Sequence, residues 1–170
     1  MFKKLAFSAG VLVVAISASA QTKISGTLSC AKPDVNQVVQ VGDRPGHVIG
    51  VKQGKCTYSK PLEIDGVQTK DDVGSGLMDL RNSTSQDRTY DVTTMANGDK
   101  LYVSSSGTSK MKGEDLDSGS GKWTFTGGTG KIRGIKGSGT YKLSGNPDGS
   151  VTVEIEGDYT LAPAGAAPKK

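Results

Sequence analysis

The chain has 170 residues, 24 of them glycine, and a formal net charge of +4 at pH 7. That length fits one domain, and setting aside Lys3 and Lys4 of the amino-terminal segment takes the charge from +4 to +2. So small an excess gives no reason to expect nucleic-acid binding, which usually needs a concentrated basic face.

Residues 1–20 carry two lysines, an apolar run from Leu5 to Ile16 and the small-x-small triplet Ala18-Ser19-Ala20. This is the pattern of a signal peptide cut before Gln21, and the run is too short for a membrane span. The expectation is a periplasmic or secreted protein exported by a bacterium, with no transmembrane anchor. Cys30 and Cys56 are the only cysteines, and in an oxidising compartment they are expected to form one disulfide.

After the leader, short alternating runs separated by turn residues replace any helical periodicity, which predicts an all-β domain over 21–161. Thr22 to Ala31 alternates, with Ile24, Gly26, Leu28 and Cys30 on one face. Val35 to Val41 is a second run, followed by a turn at 42–46. His47 to Tyr58 reads as a long strand whose Gly50 and Gly54 share a face with Cys56. Ser59 to Ser75 gives no clear signal beyond a tight turn at Asp65-Gly66, and Gly76 to Arg81 is a short strand candidate. Asp87 to Met95 and Lys100 to Thr108 flank Asn97-Gly98, which predicts a type I′ hairpin. Lys112 to Gly121 reads as a polar loop.

The stretch from Lys122 to Lys142 is the most distinctive. Gly119 to Thr126 leads into a glycine hinge, and a strand follows over Lys131 to Leu143. Repeated glycines in strand-like sequence suggest a strongly coiled sheet. Val151 to Leu161 alternates cleanly, with Val151, Val153, Ile155, Gly157, Tyr159 and Leu161 on one face. The Ala/Pro/Gly-rich segment 162–170 reads as a disordered tail. About eight strands predict an antiparallel β-barrel (calycin-like) with an apolar interior, with a β-sandwich as the competing architecture.

Motifs for chemistry are missing. Gly130-Lys131 is followed by Ile132, not the Ser or Thr of a phosphate-binding loop, and Arg133 stands where a dinucleotide fingerprint needs glycine. His47 is the only histidine, no nucleophile elbow accompanies it, and two cysteines with one histidine cannot complete a structural zinc site. No catalytic residue, metal or cofactor is expected. The candidate cavity-lining residues are His47, Tyr90, Trp123, Phe125, Tyr141 and Tyr159, either as core or as the wall of an apolar pocket.

The run from Trp123 to Gly134 resembles the glycine-rich segment of the allene oxide cyclase and dirigent barrel superfamily. The mature chain is also similar to small secreted bacterial proteins of that barrel type. The resemblance implies an eight-stranded antiparallel barrel with a central cavity, commonly assembled as a homo-oligomer. It also implies small hydrophobic molecules as ligands, whose cyclisation or coupling the plant relatives guide; it transfers no catalytic residue. The expected function is therefore non-enzymatic binding of a small apolar molecule or envelope component. A cofactor-free isomerase or cyclase using His47, Tyr90 and Tyr141 is the alternative, and a structural or partner-binding envelope protein is a third.

Overall fold

The structure is a computed structural model that describes residues 21–163. The leader 1–20 and the tail from 164 onward lie outside the described residues. Ten strands run in chain order: β1 Thr22–Cys30, β2 Val35–Gln40, β3 His47–Lys60, β4 Glu63–Ile64, β5 Val67–Arg81, β6 Thr84–Met95, β7 Lys100–Lys112, β8 Asp115–Gly128, β9 Lys136–Gly145 and β10 Val151–Thr160. All pairings are antiparallel, and β1, β10, β9, β8, β7, β6, β5 and β3 close into a ring of eight.

The stagger of that ring can be followed through its registers. A path leaving β3 at His47 passes Arg81, Thr84, Lys110, Ser118, Ser144, Thr152 and Ser29 and returns to β3 at Thr57, ten residues on. Eight strands with that stagger, at ordinary strand rise and spacing, tilt by about 40° to the barrel axis. The price of the stagger is a seam. β1 pairs with only the last few residues of β3, from Cys56 to Lys60, and β2 takes over the same edge of β3 from Gln53 back to Val48. Cys30 and Cys56 face each other where β1 gives way, and their disulfide staples the seam. Closing the 26-residue separation stabilises the fold by about 3.5 kcal/mol through the entropy of the unfolded chain.

Alternation sets one residue in two toward the lumen. Ile24, Leu28 and Tyr159 lie on that set, and so do Gly26, Gly50, Gly54, Gly74, Gly76, Gly107, Gly121, Gly139 and Gly157. Several of these glycines let neighbouring backbone carbonyls and large side chains approach closely. A Cβ on Gly139 would come within 2.7 Å of the Trp123 ring, and one on Gly121 within 2.5 Å of the Tyr141 hydroxyl.

One end of the barrel is plugged. Leu62, Ile64, Met95, Leu101, Ile132 and Ile135 close it over Ile24, Trp123, Phe125 and Tyr159. Here the structure departs from the sequence reading. Lys131 to Ile135 is not strand: Gly130–Ile132 is a single 3₁₀ turn, which drives Ile132 and Ile135 into the plug. Lys112 to Gly121 is not a loop, since β7 and β8 run to a tight turn at Gly113-Glu114 and stay paired. The obscure stretch 59–75 contains β4 and the first half of β5, turning at Asp65-Gly66, both with positive φ (52° and 73°). The Asn97-Gly98 hairpin forms with a wider turn than type I′, because only Gly98 has positive φ.

Candidate functional site

The middle of the lumen is acidic. Register places Asp72 on β5 and Asp87 and Asp91 on β6 in the inward set, with Thr89 and Thr93 between them. Thr93 and Asp72 are directly opposite, as are Asp91 and Gly74, so Asp72 and Asp91 are diagonal neighbours. The Asp91 carboxylate lies over Gly74, where a Cβ would meet its Oδ1 at 2.7 Å.

Asp72 is buried and accepts a 2.5 Å hydrogen bond from the Thr93 hydroxyl. With its proton so used, Thr93 Oγ1 accepts from the Tyr58 hydroxyl at 3.3 Å, giving a relay from Tyr58 through Thr93 to Asp72. Burial raises the Asp72 carboxyl above its ordinary pKa, and the Thr93 bond offsets only part of that. Burial, then the charge of Asp72, raises the Tyr58 hydroxyl as well.

Asp91 has no such support. No hydrogen bond or ion pair to it occurs among the described residues. Burial, and then the neighbouring Asp72 charge, push its pKa to about 8. Near neutral pH it therefore stands largely as a carboxylic acid, a hydrogen-bond donor held in a half-buried position. Asp87, nearer the mouth, accepts from Ser85 and Ser109, both at 2.6 Å. Tyr141 reaches over Gly107 and Gly121, and burial followed by Asp87 and Asp91 raises its hydroxyl to about 12.

Trp123 and Phe125 belong to the buried core beside this polar belt. Their ring centroids are 4.6 Å apart and tilted by 40°. The Trp123 N–H is spent on the carbonyls of Thr140 and Glu156, so the ring offers only its face. Tyr159 belongs to the same core, its hydroxyl accepting from the Asp65 amide.

Of the six sequence-derived candidates, Trp123, Phe125, Tyr141 and Tyr159 are on the lumen set. Tyr90 and His47 are not. Tyr90 is on the outer face, 51% exposed, because β6 turns its polar set inward. His47 is one residue out of phase with the inward Val48. It is held outside by Asp43 (Nδ1, 2.5 Å) and Asp79 (Nε2, 3.1 Å). The isomerase reading thus loses two of its three proposed groups. Sequence reasoning missed Asp72, Asp87 and Asp91. The signal available was phase: Asp91 and Thr93 alternate with Met95, while Tyr90 and Val92 fall on the other face.

No family model matches the sequence, and no curated protein matches it. Among solved structures, the pterocarpan synthase dirigent protein GePTS1 is 15% identical, covering 91% of this chain and 97% of its own, with a TM-score of 0.43. The pterocarpan synthase dirigent protein PsPTS1 is also 15% identical, covering 88% and 100%, with a TM-score of 0.45. At this identity and TM-score the likeness carries nothing about the chemistry of the lumen. Neither structure bears on the allene oxide cyclase side of the resemblance or on a bacterial source. No helix among the described residues is long and apolar enough to cross a membrane. The disulfide is compatible with an extracellular or periplasmic setting.

Proposed function

We propose that the barrel binds a small molecule in its lumen, one with an apolar ring system and a carbonyl or similar hydrogen-bond acceptor. The observation that carries this reading is Asp91: a lumen carboxyl without a protein partner, raised to about 8 and adjacent to Asp72. An unpaired polar group in such a place costs free energy unless water or a ligand satisfies it. The ligand's acceptor oxygen would meet the Asp91 acid proton, and its ring would reach the buried Trp123–Phe125 pair, 4% and 3% exposed, once neighbouring side chains give way. Tyr141, facing the same space, offers a second hydroxyl. The leader motif would send the protein out of the cytoplasm to meet such a ligand there.

Trp123 is the single tryptophan, so its emission reports on that core directly. Titration with acetophenone, a small aryl ketone with no ionisable group, should quench it saturably at pH 6. Raising the pH above 8, or substituting Asp91→Ala, should weaken binding about tenfold, the loss of one hydrogen bond worth about 1.4 kcal/mol. Linear, unsaturable quenching, or identical affinity in the variant, would count against the proposal.

A cofactor-free isomerisation is the second reading, favoured by one observation. A carboxyl with a pKa of about 8 is well placed to donate a proton at neutral pH, and the Asp87 carboxyl sits on the same strand. It would require turnover that disappears in Asp91→Asn while ligand binding survives.

A further inference from the structure

A cation stands on the inner side of the barrel wall. Alternation along β3 puts Gly50, Lys52 and Gly54 on the lumen set. Gln53 falls on the outer face, where its amide donates to the Ser75 hydroxyl at 3.0 Å. Among the described residues, Lys52 is the one lysine or arginine on the lumen set of the eight ring strands. It is half-buried, and no hydrogen bond or ion pair to its side chain occurs among the described residues.

The acids of the lumen are turned elsewhere. Asp72 accepts from Thr93, and Asp87 accepts from Ser85 and Ser109. Asp91 is raised by burial and by Asp72, with no cation beside it to lower it. Lys52 is level with Gly76 on β5 and Thr89 on β6, and Asp91 is two residues further along β6. Two strand spacings and two residues separate Lys52 from Asp91, about 12 Å at Cα.

Space is left beside Lys52. A Cβ on Gly76, directly opposite, would meet nothing closer than the Thr89 hydroxyl at 3.4 Å. One on Gly54 would meet nothing closer than Pro33 at 3.5 Å. These are ordinary contacts, unlike the collisions at Gly121 and Gly139, so neither glycine is there to admit a large neighbour. Their missing side chains leave the lysine end of the lumen open.

We propose that Lys52 is an anion subsite of the lumen, and that the ligand is a ketone or similar acceptor that also carries a carboxylate. This rests on the lumen-binding reading above and narrows its ligand class. An ammonium half out of water without a counter-charge is costly, and a ligand carboxylate supplies one through a charge-assisted hydrogen bond. The acceptor end of the same molecule takes the Asp91 proton. In its acid form Asp91 presents a donor and not a second negative charge, so an anion can lie near it. The two ends make opposite demands, which fixes the ligand's direction: carboxylate toward Lys52, carbonyl toward Asp91.

The test compares 4-acetylbenzoate with its neutral amide, 4-acetylbenzamide, by Trp123 quenching of the purified protein at pH 6, with acetophenone alongside. The acid should bind about tenfold tighter than the amide, the gain of one charge-assisted contact. Lys52→Met should reduce the acid to the affinity of the amide, and Lys52→Arg should keep most of the advantage, with far-UV circular dichroism unchanged in both. Equal affinities of acid and amide in the wild type overturn the proposal, and so does an advantage that survives in a folded Lys52→Met. The first comparison needs no variant, so it decides the matter even where a variant misfolds. Either overturning result with saturable acetophenone binding leaves the lumen reading standing, whereas a wild type that binds none of the three probes ends both.

Discussion

Replacing Asp91 with Asn should make the protein more stable in mild alkali. The Asp91 pKa is raised from 3.8 to about 8, by burial first and then by Asp72. Between those values the folded protein holds a proton that the unfolded chain has released, so stability falls as pH rises through the window. At 1.36 kcal/mol per unit, the full shift corresponds to on the order of 5 kcal/mol. Solvent at the mouth and the coupled titration of Asp72 reduce the realisable part to roughly 2–3 kcal/mol. For a domain of this size that is about 6–9 °C in Tm.

Thermal unfolding followed by circular dichroism from pH 5 to 9 reads the effect. The wild type should lose roughly half of that between pH 6 and 9, about 1–1.5 kcal/mol, because the loss accrues over the whole span from 3.8 to about 8, whereas Asp91→Asn should lose less and be the more stable of the two at pH 9. Asp72, whose carboxyl burial also raises, is the other group expected to contribute, since both cysteines are in the disulfide. Asp72→Asn serves as the control for the other buried carboxyl. A wild-type Tm independent of pH, or an Asp91→Asn variant destabilised equally at every pH, would refute the reasoning.

The remaining expectations follow from packing and from the outer charges. Cys30→Ser with Cys56→Ser should cost about 3 kcal/mol in denaturant unfolding and raise hydrogen exchange selectively in β1 and the end of β3, where the seam opens. Gly139→Ala should destabilise by about 1–3 kcal/mol or more and shift Trp123 emission, because the new methyl meets the Glu156 carbonyl as well as the indole at 2.7 Å; a neutral result would mean that β9 and β10 can move apart at no cost. On the acid side, His47 and then Arg44 hold Asp43 below 3.8, and Arg81 and then His47 do the same for Asp79. Their stabilisation is present above the unfolded value and lost as pH falls through the folded ones. Asp79→Asn should therefore shrink the loss of Tm below pH 4, and an unchanged acid limb would contradict the pairing.

The barrel was legible because its strands are short, alternating and punctuated. Ile24, Gly26, Leu28 and Cys30 share a face in the sequence and share the lumen set in the structure. Cys30 and Cys56 could be paired from compartment logic alone, and they lie opposite each other in register. Two features were hidden for different physical reasons. The plug residues Ile132 and Ile135 sit in a segment whose composition is strand-like, and only tertiary packing at the barrel end turns it into a 3₁₀ turn. The lumen aspartates were hidden because burial of apolar residues is a one-way rule. On β6 the aromatic and branched residues face outward, where the sheet continues as an apolar surface, and the acids face inward. An alternating strand announces two faces without saying which is wet. The glycines held the missing information: Gly74 leaves room for the side chain of Asp91, its partner on the neighbouring strand.

The state of Asp91 can be read most directly from its own carboxyl carbon. In a side-chain ¹³C NMR titration of uniformly labelled protein, the Asp91 resonance should move with a midpoint near 8, while Asp43, Asp79 and Asp148 titrate below 3.8. A midpoint for Asp91 at the ordinary value of about 4 would mean an ionised, well-solvated group, and the lumen would then hold no carboxylic acid to offer a ligand.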